Sequence, residues 1–430
     1  MDRTPRLKPL ALAVTILMIA GHPMAARAQS GYEPTPTLKA SDLAPPPLLK
    51  GARFRVADKV PVKGLLGNFT IQSDFGKLEA HGLEMLRIRV SEVSALDTLE
   101  NTSEREEFLK AAGTAAARPF KAGAHMVMNP KETAQGISAG ASRFYDRVTL
   151  GKQHVTEAGS DPSKSDTEKA EEVSKRVGSV TIDVLGWEEE RRALAKRLAV
   201  DPYTTNVVLA EKLSDFAWVT FSGRVGLNVL VAVVVPFSTL LTATSITNDM
   251  VWDLKPVDVL KADAEKLAAM GASAAQVKAL MKNPWYSLTM LTWLTNGLTT
   301  LDGVTGRAEV IRLAASARGE DEARFLATAV NMLAIVHATT PLAALRAQGT
   351  VTGRTRDGAV AVPAPVDYIA WTQNVATFAR RADLKASRRG IWTTGRLSPR
   401  AKKELTSLGW AVHEVAPIAP PAVQLPTTSR

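Results

Sequence analysis

The period of the hydrophobic pattern changes several times along the chain, and each change predicts an element. Between Phe54 and Val93 apolar and polar residues alternate, so Asn68 to Gln72 and Lys77 to His81 predict two strands joined at Asp74-Phe75-Gly76. Leu86, Ile88 and Val90, alternating with Arg87 and Arg89, predict a third, with one face buried and one wet. From Ser103 the spacing turns helical: Ser103 and Glu106 form a capping box, and Phe108, Leu109, Ala112, Ala115 and Ala116 follow on one side. Asn129-Pro130 starts a further helix, in which Ile137, Ala141, Phe144 and Val148 recur beside Gly136 and Gly140.

Past a charged stretch, Glu188 to Leu198 predicts a helix, and Asp201-Pro202 supplies a side-chain cap and a first-turn proline for the next segment. Asp201, Tyr203, Thr204, Thr205 and Asn206 have the look of a polar site, but helix starts require these residue types, so capping and turn chemistry is the preferred reading. Val225 to Ala243 is long enough to be a membrane candidate; Asn228, Pro236, Ser238, Thr239 and Thr242 dilute it towards a buried helical hairpin. The punctuation then becomes regular. Helices are predicted from Pro256 to Met270, from a Ser273/Gln276 capping box to Asn283-Pro284, from Ser287 to Leu301, from Arg307 to Ala317, and from Glu320-Asp321-Glu322 to His337. Short loops make neighbours antiparallel. Beyond Pro341 the signal is mixed: Asp357-Gly358 marks a hairpin, Val366 to Arg381 a helix, and Gly390 to Val415 a strand-helix-strand unit broken at Gly395-Arg396-Leu397.

The fold class that follows is α+β and predominantly α, with a small N-terminal antiparallel β region, a central multi-helix array and a C-terminal mixed α/β unit. The boundaries read as a leader at 1–28, a proline-rich linker at 29–50, β-meander plus helices at 51–150, and a charged linker at 151–182. The helical domain takes 183–343, the mixed unit 344–416, and a disordered tail 417–430.

The leader has the three parts of a secretory signal: Arg3, Arg6 and Lys8, an apolar run from Leu10 to Ala20, and Ala26-Arg27-Ala28 before a cleavage point at Gln29. The run is too short to span a bilayer, so the chain is expected in the periplasm or secreted. Without cysteine there is neither a disulfide framework nor a cysteine-linked lipid. Removing the leader takes the formal charge from +10 to +7, and the stretch from Thr340 onward alone carries a balance of +8. A solvated basic face is the plainer reading, and a surface for a protein partner, anionic lipid or polysaccharide is the functional one; specific nucleic-acid binding is not expected of an exported chain. Val225 to Ala243 and the Gly136 to Val148 helix are the candidates for peripheral membrane contact.

Asp201-Pro202-Tyr203-Thr204-Thr205-Asn206, Asn283-Pro284-Trp285-Tyr286-Ser287 and Gly395-Arg396-Leu397-Ser398-Pro399 resemble phrases recurring in a family of exported bacterial proteins of unknown function. The resemblance spans most of the mature chain and implies no activity.

Candidate chemistry is sparse. His81, His125, His154, His337 and His413 show no metal-ligand spacing, no HExxH or GxSxG occurs, and no cofactor is expected. His337, on an apolar helix, reads as a satisfied core or cap histidine. Trp285, Tyr286 and Trp293 have the chemistry to stack on sugar, although core packing is the commoner role. The nearest approach to a ligand site is Thr394, Gly395, Arg396 and Ser398, where a strand meets a helix N-terminus whose free N–H groups favour an anion; capping by Ser398 is the plainer account. Two functional classes stay open: a non-enzymatic envelope protein that binds a partner or lipid surface, which is favoured, and a hydrolase of an envelope polymer. A deep cleft with converging carboxylates would point to the second.

Overall fold

Residues 31–101, 186–221 and 250–418 are described by the structure, a computed structural model. The leader, the segment from Ser103 to Val177 with its expected helices and charged linker, Val225 to Ala243, and all but the first residues of the tail lie outside them. Among the described residues the chain is mixed α and β with a helical majority.

An N-terminal antiparallel sheet contains β1 (Thr37–Lys39), β2 (Phe54–Val56), β3 (Lys59–Lys63), β4 (Leu66–Ser73) and β5 (Gly76–His81). β4 and β5 pair from Asn68↔His81 to Ser73↔Gly76 around the expected turn. The stretch read as a linker is built into this unit instead. Thr37–Lys39 pairs with β3, Ala40–Leu43 is a short helix (α1), and Ala40, Ala44 and Leu48 are buried. Prolines exclude long helices, but they leave room for an edge strand and one turn of helix.

The strand expected at Leu86 to Val90 is helix. Gly82, at φ 96°, ends β5, and α2 (Leu83–Asn101) begins at once. The alternation over five residues is local; over the whole segment Leu86, Val90, Val93 and Leu96 recur at steps of four, three and three, which is one helical face. Against this face pack the helix at 186–197 (α3) and α4 (Val207–Phe221), through Leu194, Leu198, Leu209 and Leu213. The N-terminal core thus includes helices on the far side of the 182/183 boundary. α4 begins at Val207, not at Pro202, and Asn206 supplies its cap, accepting from the Leu209 N–H at 3.4 Å.

The helical array follows its punctuation: α5 (Pro256–Ala269), α6 (Ala274–Met281), α7 (Leu288–Thr300), α8 (Arg307–Ala315) and α9 (Glu320–Thr339). Ser273 and Gln276 form the reciprocal capping box, and Ser287 caps α7. α7 lies between α5 and α9, while α6 packs on α8. Their shared core extends into the C-terminal sheet through Leu342, Leu345, Val351 and Ala361. His337 accepts from the Leu342 N–H at 2.9 Å and so caps the turn out of α9.

That second sheet is ordered β12-β10-β8-β7-β6, from β6 (Leu342–Ala347), β7 (Val351–Thr355), β8 (Val360–Ala364), β10 (Arg389–Thr393) and β12 (Trp410–His413). β10 and β12 are parallel across α11 (Pro399–Ser407), as the strand-helix-strand pattern requires, and β8 is parallel to β10. The helix expected from Val366 is shorter: Tyr368–Ile369 (β9) pairs with Arg396–Leu397 (β11), and Thr372 caps α10 (Gln373–Ala379). Ala364-Pro365 and the β9 pairing hold the first part of that segment extended.

Several contacts fasten the C-terminal unit to the N-terminal one, among them those of Asp367 and Leu65. Asp367 is buried, with one carboxylate oxygen accepting from Gly67 N–H at 2.8 Å and both reaching Leu83 N–H at 3.0 and 3.1 Å, so it caps α2 from 284 residues away. Leu65 O in turn accepts from the N–H groups of Asp367 and Tyr368.

Candidate functional site

α2 presents Glu84, Ile88, Arg89 and Glu92 towards the 201–206 loop, with α7 and α9 closing the other sides. Between them is a cavity of ≈ 90 Å³. Glu92 is only 1% exposed and fully engaged: Thr204 Oγ1 donates to Oε1, while Asn206 Nδ2 (3.1 Å) and Arg89 Nη1 (2.8 Å) donate to Oε2. Arg89 continues to Thr205 Oγ1 at 2.8 Å, which reaches Glu320 at 3.2 Å, and Arg324 holds Glu320 at 3.0 Å. Burying a carboxyl group costs free energy that such hydrogen bonds and an ion pair offset. The loop therefore does more than the capping read from its sequence. Asp201 makes the turn, accepting from Tyr203 N–H at 2.8 Å, and Asn206 caps α4, but Thr204 and Asn206 also clasp Glu92.

The remaining polar groups around the cavity are unusual. Burial pushes the carboxyl of Glu84 up, with Arg324 and Arg87 pulling the other way. Burial also raises Asp201, against the hydrogen bonds from Thr289 Oγ1 and the Tyr203 N–H. Tyr203 is raised by burial, so its hydroxyl keeps its proton. Three buried donors on lining residues have no protein partner: Tyr203 Oη, Trp293 Nε1 and Arg324 Nε. Apolar walls come from Met85, Ile88 and Met290. Of the aromatics considered for sugar stacking, Tyr286 is core, donating to Ala314 O at 3.1 Å, whereas Trp293, 4% exposed, faces the cavity.

Thr394, Gly395, Arg396 and Ser398 are brought together, but their backbone donors are already used. The N–H groups of Thr394, Gly395, Arg396 and Ser398 bond to Ala364 O, Thr393 Oγ1, Asp367 O and Ile369 O. Leu397 N–H bonds to Glu414 at 2.9 Å. Ser398 caps α11 through Ala401 N–H at 2.9 Å. A carboxylate does sit there, and it is the chain's own: Glu33 Oε2 accepts from Ser398 Oγ at 2.5 Å and Trp371 N–H at 2.6 Å. Gly395 is required by close approach, because a Cβ would meet Asp367 O at 1.9 Å.

His81 Nδ1 lies 2.9 Å from Asp321, and this hydrogen bond raises the imidazole against its partial burial. Among the described residues no group of histidines and carboxylates has metal-binding geometry, and no helix is long and apolar enough to cross a membrane.

No protein-family model matches this chain, and neither a curated protein nor a solved structure matches it with significance.

Glu84, Glu92 and Arg324 escaped the sequence reading. Glu92 alone left a signal, a charge within the apolar stripe of α2 between Val90 and Val93.

Proposed function

We propose that this chain is an exported envelope protein that acts by binding, and that the cavity between α2, the 201–206 loop, α7 and α9 is its ligand site. The export half rests on the three-part leader. The binding half is carried by one cavity whose lining gathers Glu84, Arg89, Asp201, Thr205 and Arg324 beside the apolar Met85, Ile88 and Met290. Polar groups converging on an apolar-walled concavity are what fixes the orientation of a small ligand. The C-terminal basic surface supports the site less well. Arg354 and Arg381 donate to the carbonyls of Asp383 and Gln348, and Arg380 and Arg389 lie over the rings of Trp371 and Trp410.

Hydrolysis is the second reading, and Glu84 favours it: its carboxyl is raised by burial and it faces the cavity. A partner for it is the difficulty. The two other carboxyls that line the cavity are engaged: Asp201 accepts from Thr289 Oγ1 and the Tyr203 N–H, and Glu92 lies about two turns along α2 from Glu84. Its oxygens are also committed to Thr204, Asn206 and Arg89. Incubating the purified chain with isolated envelope polymer decides between the two. Binding predicts a small molecule retained in native mass spectrometry and no soluble fragments released; fragments that vanish with Glu84→Gln would establish the hydrolase.

A further inference from the structure

The positive charge of the chain is not spread evenly over it. The stretch from Thr340 onward carries a balance of +8 while the whole chain without its leader carries +7, and much of it gathers where the β7–β8 turn meets the segment between α10 and β10. Arg354 on β7 donates to Asp383 O at 2.6 Å and to Gly358 O at 3.5 Å. Arg381 grips both oxygens of Asp383, at 3.0 and 2.7 Å, and reaches Gln348 O at 3.0 Å, while Arg388 pairs with Asp357 in the turn. The Arg381 hydrogen bond and the charges of Arg381 and Arg354 hold Asp383 below its ordinary value. Arg356 and Lys385, in the same two segments, are exposed and have no hydrogen bond or ion pair among the described residues. Five cations thus share this surface with two carboxylates, Asp357 and Asp383, and both carboxylates are already paired. A bond to a carbonyl neutralises nothing: it fixes a guanidinium fork and leaves its charge and remaining N–H groups for an oxyanion.

We propose that this surface binds a linear anionic polymer, one with phosphate or carboxylate groups repeated along its chain. The reading rests on the export half of the proposed function and is independent of the cavity. Planar forks pair bidentately with such groups, and four of the five cations are arginine. Contacts along one polymer reinforce each other, because after the first the rest form intramolecularly. A bilayer fits less well. Peripheral binding to a membrane adds buried apolar side chains to charge, and the exposed large apolar residues among those described lie elsewhere. Val415 donates its N–H to Gly395 O beyond the far end of β10, Tyr32 adjoins Glu33 at Ser398, and Leu254 precedes α5.

The test titrates the full exported chain by calorimetry with inorganic polyphosphate and with polygalacturonate, and sediments it with vesicles of phosphatidylglycerol and phosphatidylcholine in equal parts. Arg356→Glu combined with Lys385→Glu reverses the two free cations without breaking a contact. Lys261→Glu combined with Lys278→Glu makes the same change of charge at exposed positions of α5 and α6. The expected result is saturable binding to at least one polymer, weakened by added salt and about tenfold or more by the Arg356 and Lys385 reversal, with little change from the other pair. The tighter polymer tells phosphate from carboxylate. Equal loss in both variants would overturn the assignment in favour of net charge alone, and no binding of either polymer would overturn it outright. Vesicle binding that exceeds polymer binding and falls with the Arg356 and Lys385 reversal would overturn it in favour of a membrane. The cavity stands or falls separately, on what native mass spectrometry of the parent chain retains.

Discussion

Replacing Glu92 tests whether the 201–206 loop and α2 are joined through one buried carboxylate. In Glu92→Ala, Asn206 Nδ2 and Arg89 Nη1 lose their acceptor, Thr204 Oγ1 loses another, and a cationic guanidinium is left beside a new void. Removing one member of a buried ion pair costs about 3–5 kcal/mol, and the side chain here is 1% exposed, so the expected loss is about 4 kcal/mol. Glu92→Gln should cost less, about 2 kcal/mol. A turned amide can donate to Thr204 Oγ1 and accept from Asn206 and Arg89, so the loss falls mainly on the charge-assisted part of the bonds. Urea unfolding of the full chain, followed by tryptophan fluorescence, reads both values. A double-mutant cycle with Asn206→Ala should show coupling above about 1 kcal/mol. An alanine variant within 1 kcal/mol of the parent, or additive effects in the cycle, would refute the clasp.

Other expectations come from the same hydrogen-bond pattern. Asp367→Ala removes the acceptor of the Gly67 and Leu83 N–H groups and should destabilise by about 3 kcal/mol, with early amide exchange in the first turn of α2; unchanged exchange there would contradict the cap. Asp263, 0% exposed, is pushed up to about 6 by burial, with Thr292 Oγ1 and Lys266 acting in the opposite direction. A carboxyl raised in the folded state adds stability that is complete below the unfolded value and lost as pH rises through about 6. Going from pH 7 to pH 5 should therefore stabilise the parent relative to Asp263→Asn by about 1 kcal/mol; an opposite or absent trend would show that Asp263 is ionised without strain. Glu33→Ala should free residues 31–39 to exchange and proteolysis while leaving the global midpoint nearly unchanged, whereas a large global loss would mean that the contact with Ser398 and Trp371 is central to the core.

How much of this was legible in the sequence follows from the range of each interaction. The Asp74-Phe75-Gly76 turn, the Ser273 capping box and the Ser287 cap are local devices, and the elements they bound lie where they predict. The strand-helix-strand unit after Gly390 was equally readable, because β10, α11 and β12 are each bounded by their own caps and glycines. Misreading begins where five residues imitate another period, as at Leu86 to Val90, or where pairing decides, as at Thr37–Lys39 and Tyr368–Ile369. The site was the least readable part. Thr204 meets Glu92 112 positions away, and Asp367 caps Leu83 from 284 away, so their residue types looked like ordinary turn and loop chemistry. The anion site at Ser398 was half visible: the helix start was right, and only the fold supplies Glu33 as its occupant.

The claim on which the account rests is that the cavity bordered by Trp293 binds a ligand, and native mass spectrometry of the parent and Trp293→Phe, each purified without denaturation from the producing cells, addresses it most directly. The predicted result is a small molecule retained by the parent and lost or much reduced in Trp293→Phe. Equal retention in both, or a parent that carries nothing, would contradict it.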